Sequence, residues 1–223
     1  ERLESFSGED IIIPVVNITP RVTEEDLKSI QEVVGEFNTT FNKQMVGRSK
    51  NIAIAASSIN STLIMPGEEF SFNQRTGPTG VSEGYQEAPV IIGGELVPGI
   101  GGGVCQVSTT LYNAVVRSNL EVISRRNHTL TVGYVPLGHD AAVSYNNLDL
   151  QFRNNLQNPI YIESFVNGNK IYVRIYGKKE DSVTIGLVSE VIEVIEPNIE
   201  TIVDENMFIG ETEVEREPKK GYR

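Results

Sequence analysis

Gly101-Gly102-Gly103-Val104-Cys105-Gln106-Val107-Ser108-Thr109-Thr110-Leu111-Tyr112-Asn113 runs three glycines straight into a segment of helical periodicity. At about 100° per residue, Val107, Leu111, Ala114 and Val115 gather on one side. That spacing predicts a helix over 105–118 laid on a core, with Cys105, Thr109 and Tyr112 on a face well away from it. The glycines permit positive φ and close backbone approach to a ligand. A cysteine in the first turn sits at the positive end of the helix dipole, which favours a thiolate. The unpaired amides there offer a place for an oxyanion, so Gly102, Gly103, Val104 and Gln106 form the expected oxyanion and substrate loop. A phosphate-binding loop is the other reading of such glycines, but the Gly-Lys-Ser/Thr ending is absent. Cys105 alone would read as a small buried residue; the glycines, the helix start and the off-core face together favour a nucleophile.

Outward from this segment, the pattern predicts an α+β fold with helices packed on an antiparallel sheet. Thr23 followed by Glu24-Glu25-Asp26 marks a helix start running to about residue 35. A strand is expected over 11–16, and a second helix over 51–63 with Ile52, Ile54, Ala55, Ile59 and Leu63 as its apolar stripe. Residues 66–104 are rich in Gly and Pro and read as loops with a short strand at 90–92. Strands are predicted over 120–124, 129–135, 148–152, 160–165 and 170–176, the last two joined by an Asn167-Gly168 turn. Beyond Gly177 acids alternate with Val and Ile and aromatics thin out, so 178–223 reads as an extended, separate β segment.

Composition bounds the function. The chain has 223 residues, 39% hydrophobic and 22% charged, enough for one sizeable core. A net charge of −11 argues against nucleic acid and anionic lipid as partners. No apolar run approaches the roughly 20 residues that cross a bilayer, so no direct membrane insertion is expected, and no signal peptide is visible. The abrupt start at Glu1-Arg2-Leu3 suggests a piece of a longer protein. With one Cys and two His, no structural zinc site and no cofactor are expected.

A thiolate attacking a carbonyl needs a base. His128 shares strand parity with Leu130, Val132 and Tyr134, and so points to the apolar side. His139 lies in the turn Pro136-Leu137-Gly138-His139-Asp140 at the far end of that segment. Either is a structural histidine or the base, and position favours His128. Asp140 is the natural carboxylate to orient the imidazole, or else a turn residue.

These residues carry a resemblance to the VanW domain. Matching stretches are Pro66-Gly67-Glu68-Glu69-Phe70-Ser71-Phe72-Asn73, Gly84-Tyr85, Gly101 to Asn113, Arg125-Arg126-Asn127-His128, Tyr134-Val135-Pro136 and Asp140-Ala141, with Thr39-Thr40-Phe41, Arg48 and Asn51-Ile52 upstream. The resemblance covers about 36–165. It implies a catalytic domain over 36–177, the end of a peptidoglycan-binding-like region over 1–35 and a C-terminal extension over 178–223. It further implies an extracytoplasmic L,D-transpeptidase of a Gram-positive surface, acting on peptidoglycan stem peptides with Cys105 as the catalytic cysteine and His128 as base. Thr109, Tyr112, Tyr134 and Arg126 are the expected substrate contacts, with Arg48, Arg117 and Arg125 as further candidates beside Arg126 to pair with a stem-peptide carboxylate. A cysteine peptidase or carboxypeptidase acting on peptidoglycan, and a non-catalytic wall-binding module, are the alternatives.

Overall fold

The computed structural model describes residues 18, 20–179, 184–203, 206–208, 210–214 and 218–223. The strand expected over 11–16 lies outside them. Thr23 opens the first helix, α1 (Glu24–Ser29), through a reciprocal capping box with Asp26. The helix ends at Ser29 instead of residue 35. Val33 and Val34 are β-branched and fit a pleated surface better, and they enter β1 (Glu32–Thr40). The second helix, α2 (Val46–Ile59), also stops early, at a turn where Ser61 takes φ 57°. Leu63 therefore lies in β2 (Thr62–Ile64) instead of on the helix.

The stretch read as loops is more ordered than its composition suggests. It holds β3 (Glu69–Ser71), the single helical turn α3 (Phe72–Thr76), and a hairpin of β4 (Glu87–Ile92) and β5 (Glu95–Ile100) turning at Gly93-Gly94. The glycine-led helix α4 (Val104–Arg117) follows, then β6 (Glu121–Ser124), β7 (Gln151–Arg153), and the hairpin of β8 (Ile160–Asn167) and β9 (Lys170–Gly177). All strand pairs are antiparallel. The main sheet has the order β1-β9-β8-β2 and a second has β3-β7-β6.

Helix α4 packs on β1 and β9, and α2 packs on β8 and α4. Ile52, Ala55 and Ile59 from α2, Val107, Leu111, Ala114 and Val115 from α4, and Ile160, Ile162, Ile171, Val173 and Ile175 from the sheet share one buried core. Each large aliphatic chain of that set contributes about 1.5–3 kcal/mol by leaving water. The core fixes α4 against the sheet and so fixes the position of Cys105.

The strand predicted over 129–135 does not form: residues 125–143 cross the molecule without regular structure. Their alternation of apolar residues has no ladder partner, and the segment closes on itself through Asp140, as described below. The strand expected from 148 begins at Gln151 because Ser144 and Leu148 pair in an isolated bridge and Asp149 bonds sideways to Ser71. In the C-terminal segment, β10 (Val194–Ile195) and β11 (Gly221–Tyr222) pair with each other in a two-stranded sheet.

Candidate active site

Cys105 is the second residue of α4. The glycines before it serve backbone geometry. Gly101 and Gly103 have φ of 86° and 112°, a region L side chains rarely adopt. Gly102 lies so close to β4 that an added Cβ would meet Pro89 O at 2.5 Å. Asn51 of α2 locks the turn: its Nδ2 donates to Gly102 O (3.0 Å) and Gln86 O (2.8 Å), and its Oδ1 accepts from Gln86 N (2.7 Å). Two of the expected oxyanion donors are spent within the turn. Val104 N donates to Gly101 O (3.1 Å) and Gln106 N to Gly103 O (3.0 Å), whereas the Gly102, Gly103 and Cys105 amides make no such turn bond among the described residues. The buried Gln106 side chain ties α4 to its surroundings, accepting from Arg48 Nη2 (2.9 Å) and donating to Thr39 Oγ1 (3.1 Å) and Thr40 O (2.9 Å).

The irregular 125–143 segment brings the acid–base groups to the thiol. Cys105 Sγ is half-buried, donating to Val143 O at 3.2 Å and accepting from Val143 N at 3.5 Å. His128 Nδ1 lies 2.6 Å from Asp140 Oδ2, and His128 N donates to the same oxygen at 2.6 Å. Arg125 braces the carboxylate from the other side, with Nη2 on Asp140 Oδ1 (3.1 Å) and Nε on Asp140 O (2.6 Å). The guanidinium lies 5.3 Å over the Tyr112 ring, so Tyr112 supports Arg125.

The electrostatics follow from this geometry. Burial pulls the His128 imidazole down, but hydrogen bonding to Asp140 and to the Cys105 side chain, with Coulombic attraction to both, pushes it up to about 9. Burial raises the Asp140 carboxyl, but the hydrogen bonds from His128 and the nearby Arg125 charge outweigh it and hold it below the usual range. The Tyr134 phenol is raised by burial and by the neighbouring Cys105, against smaller lowering influences from Thr109 and Arg48.

His139 is placed elsewhere. It is buried, neither ring nitrogen has a partner among the described residues, and burial with the Arg117 and Arg125 charges lowers its pKa. It does not meet the thiol.

Thr109 differs from its expected exposed placement. It is fully buried, and its Oγ1 accepts from Ala141 N (2.9 Å) and donates to Ala141 O (3.3 Å). With Ser108 Oγ on Ala141 O (2.6 Å) and Asn113 Nδ2 on His139 O (2.7 Å), it fastens residues 139–141 to α4. Arg126 is exposed, and its carbonyl accepts from Ala142 N at 2.8 Å. Sequence reasoning did not foresee the role of Arg125 on Asp140, nor that of Ser108 and Asn113. The signal available was polar residues on an otherwise buried helix. Among the described residues no cluster of His, Cys, Asp and Glu would hold a metal ion, and no helix is long and apolar enough to cross a membrane.

A thiol beside an imidazole oriented by a carboxylate is the arrangement that nucleophilic acyl transfer requires. Comparison with known proteins bears on the same residues. A family model described as "VanW like protein" matches residues 47–176. The chain is 42% identical over 167 residues to "Uncharacterized protein YoaR" of Bacillus subtilis (strain 168), covering 74% of this chain and 55% of that protein. It is 29% identical over 135 residues to "Vancomycin B-type resistance protein VanW" of Enterococcus faecalis (strain ATCC 700802 / V583), covering 58% of this chain and 49% of that one. The chain thus spans about half the length of the curated relatives it matches. No solved structure matches it.

Proposed function

The chain belongs to the VanW-like protein family, and from that membership we propose that it is a cysteine-dependent peptidoglycan L,D-transpeptidase working outside the cytoplasmic membrane of a Gram-positive bacterium. The observation that carries this reading is the line Arg125–Asp140–His128–Cys105 beside the start of α4. The name of one relative refers to vancomycin resistance, which fits a wall-directed substrate.

In the reactive form the thiol proton resides on His128, giving a thiolate–imidazolium pair held by Asp140. The thiolate attacks the carbonyl of the diamino acid at stem position 3, and the Cys105 amide and helix dipole stabilise the oxyanion. The C–N bond to the terminal D-alanine breaks, and the imidazolium gives its proton to the departing amine. A thioester remains. The side-chain amine of a second stem then attacks the thioester, loses its proton to His128 and forms a 3→3 amide as the thiolate is released. Water in place of that amine would make the enzyme an L,D-carboxypeptidase. Tyr134 and Arg48, which lie close enough to influence each other's charge beside Cys105, are the contacts for the incoming stem. Residues 36–177 constitute the catalytic unit in this reading.

Incubation with a disaccharide tetrapeptide followed by mass analysis of the products tests the proposal. Cross-linked dimers lighter than two substrates by one D-alanine are expected. Monomers that have only lost D-alanine would reassign the protein as a carboxypeptidase. Unchanged substrate would leave a wall-binding module.

A further inference from the structure

Val143, whose backbone flanks Cys105 Sγ, is followed at once by a tight turn: Ser144 N donates to Leu148 O (2.8 Å), and Leu148 N and Asn147 N donate to Ser144 O (both 2.9 Å). This turn walls a cleft of about 280 Å³, near the lower end of ligand-pocket sizes. Its floor is fixed by Asp149, whose carboxylate accepts from Ser71 Oγ (2.6 Å), Asn73 N (2.9 Å) and Gln151 Nε2 (3.0 Å). Asn73 Nδ2 ties that floor to the turn through Leu148 O (2.8 Å).

The remaining lining groups are uncommitted. The side-chain amides of Gln74, Asn146 and Asn147 and the Tyr145 hydroxyl make no hydrogen bond among the described residues, and Tyr145 is 40% exposed. The chemistry of the lining narrows the ligand. No Lys, Arg or His lines the cleft, so an anion has no counter-charge. The single carboxylate already accepts three hydrogen bonds, so a cation would compete with all three. One aromatic ring and no aliphatic side chain make a poor seat for a greasy ligand. Three amides, each able to donate and accept, beside one ring with a polar tip suit a neutral ligand with hydroxyls, amides and one flat apolar face.

We infer that this cleft is a saccharide subsite taking an N-acetylated amino sugar. The choice of sugar rests on the wall-directed reading above. The cleft then holds the glycan that carries a stem peptide while the stem reaches Cys105 along the same loop.

NMR titration of the full chain with tetra-N-acetylchitotetraose, which has no peptide to react, tests this. Saturable shifts at Gln74, Tyr145, Asn146 and Asn147 are expected. Tyr145→Ala and Asn147→Ala should each weaken binding by about five- to tenfold, in the range one aromatic or polar contact supplies, whereas Cys105→Ala binds as wild type. Cellotetraose, which lacks acetamido groups, should bind more weakly. No saturable shift, shifts that miss these residues, affinity unchanged in both cleft variants, or equal binding of cellotetraose would overturn the inference. Acyl transfer to a sugar-free stem peptide is assayed in parallel. Its failure with normal sugar binding rejects the enzyme reading alone, and active chemistry with no sugar binding rejects the subsite alone.

Discussion

Replacing His128 by alanine removes the imidazole that Asp140 holds at 2.6 Å beside Cys105, and should lower kcat by on the order of 10²–10⁴-fold, as general-base loss typically does. His139→Leu should leave kcat near wild type and stability equal or higher, since both buried ring nitrogens are unpaired and an apolar replacement removes polar groups that nothing satisfies. Kinetics and thermal melts of the two variants check this pair, and a large loss of kcat in His139→Leu would contradict the assignment. The same imidazole makes stability depend on pH. Its folded pKa of about 9 lies above the ordinary imidazole value of 6.5, so its stabilising contribution is complete below pH 6.5. Between 6.5 and 9 the folded state keeps a proton that the unfolded chain releases, and the contribution falls as pH rises. The Tm difference between wild type and His128→Ala should therefore be largest below pH 6.5 and shrink towards pH 9. Cys105 and His128 are easy to single out in the sequence as candidates because the chain has one Cys and two His, whereas Asp140 is one acid among 30 and its place 2.6 Å from His128 Nδ1 comes from the fold. Arg125 was one of several candidate arginines there, since its place on Asp140 depends on the path of an irregular loop.

At the scale of elements, the turn into α4 is the part most sensitive to a single methyl group. Gly102→Ala would put a Cβ 2.5 Å from Pro89 O and 2.7 Å from Ala88 O, both backbone atoms that cannot rotate away. Overpacking of this kind costs about 1–3 kcal/mol, and in a domain of 150–250 residues each kcal/mol lowers Tm by about 2–4 °C. Alkylation of Cys105 by iodoacetamide should also slow, because its amide and sulfur move with the turn. A melt and labelling rate indistinguishable from wild type would show that β4 gives way. The helix over 105–118 and the hairpin at Asn167-Gly168 were legible because apolar spacing and turn chemistry agree locally. The strand expected over 129–135 was not, because alternation reports which side is apolar and cannot report whether a ladder partner exists. His128 reaches the thiol by hydrogen bonds of the loop to Ser108, Thr109 and Asn113, not by strand geometry. The two early helix ends have a related cause: Val33 falls within the expected first helix and Leu63 within the stripe of the second, but pairing with β9 and β8 claims them for the sheet.

For the molecule as a whole, one core joins both main helices to the four-stranded sheet, while among the described residues β10 and β11 pair with each other in a separate two-stranded sheet. A chain ending at Lys179 should keep its Tm within about 4 °C of the full chain, equivalent to roughly 1 kcal/mol, and should retain labelling of Cys105; a collapse of either would show that the C-terminal segment supports the catalytic unit. The α+β class was legible because helical periodicity prevails up to about 118 and strand periodicity after it, whereas the two-sheet arrangement depends on β3, three residues within a stretch read as loops, too short for periodicity to register. The central claim is that Cys105 forms an acyl-enzyme. Intact-protein mass spectrometry after acid quench of a brief incubation with disaccharide tetrapeptide tests it most directly. The account predicts one adduct per chain, equal in mass to the substrate minus D-alanine and mapping to Cys105, and absent from Cys105→Ala. Product formed at a wild-type rate by Cys105→Ala, or an adduct on another residue, would contradict it.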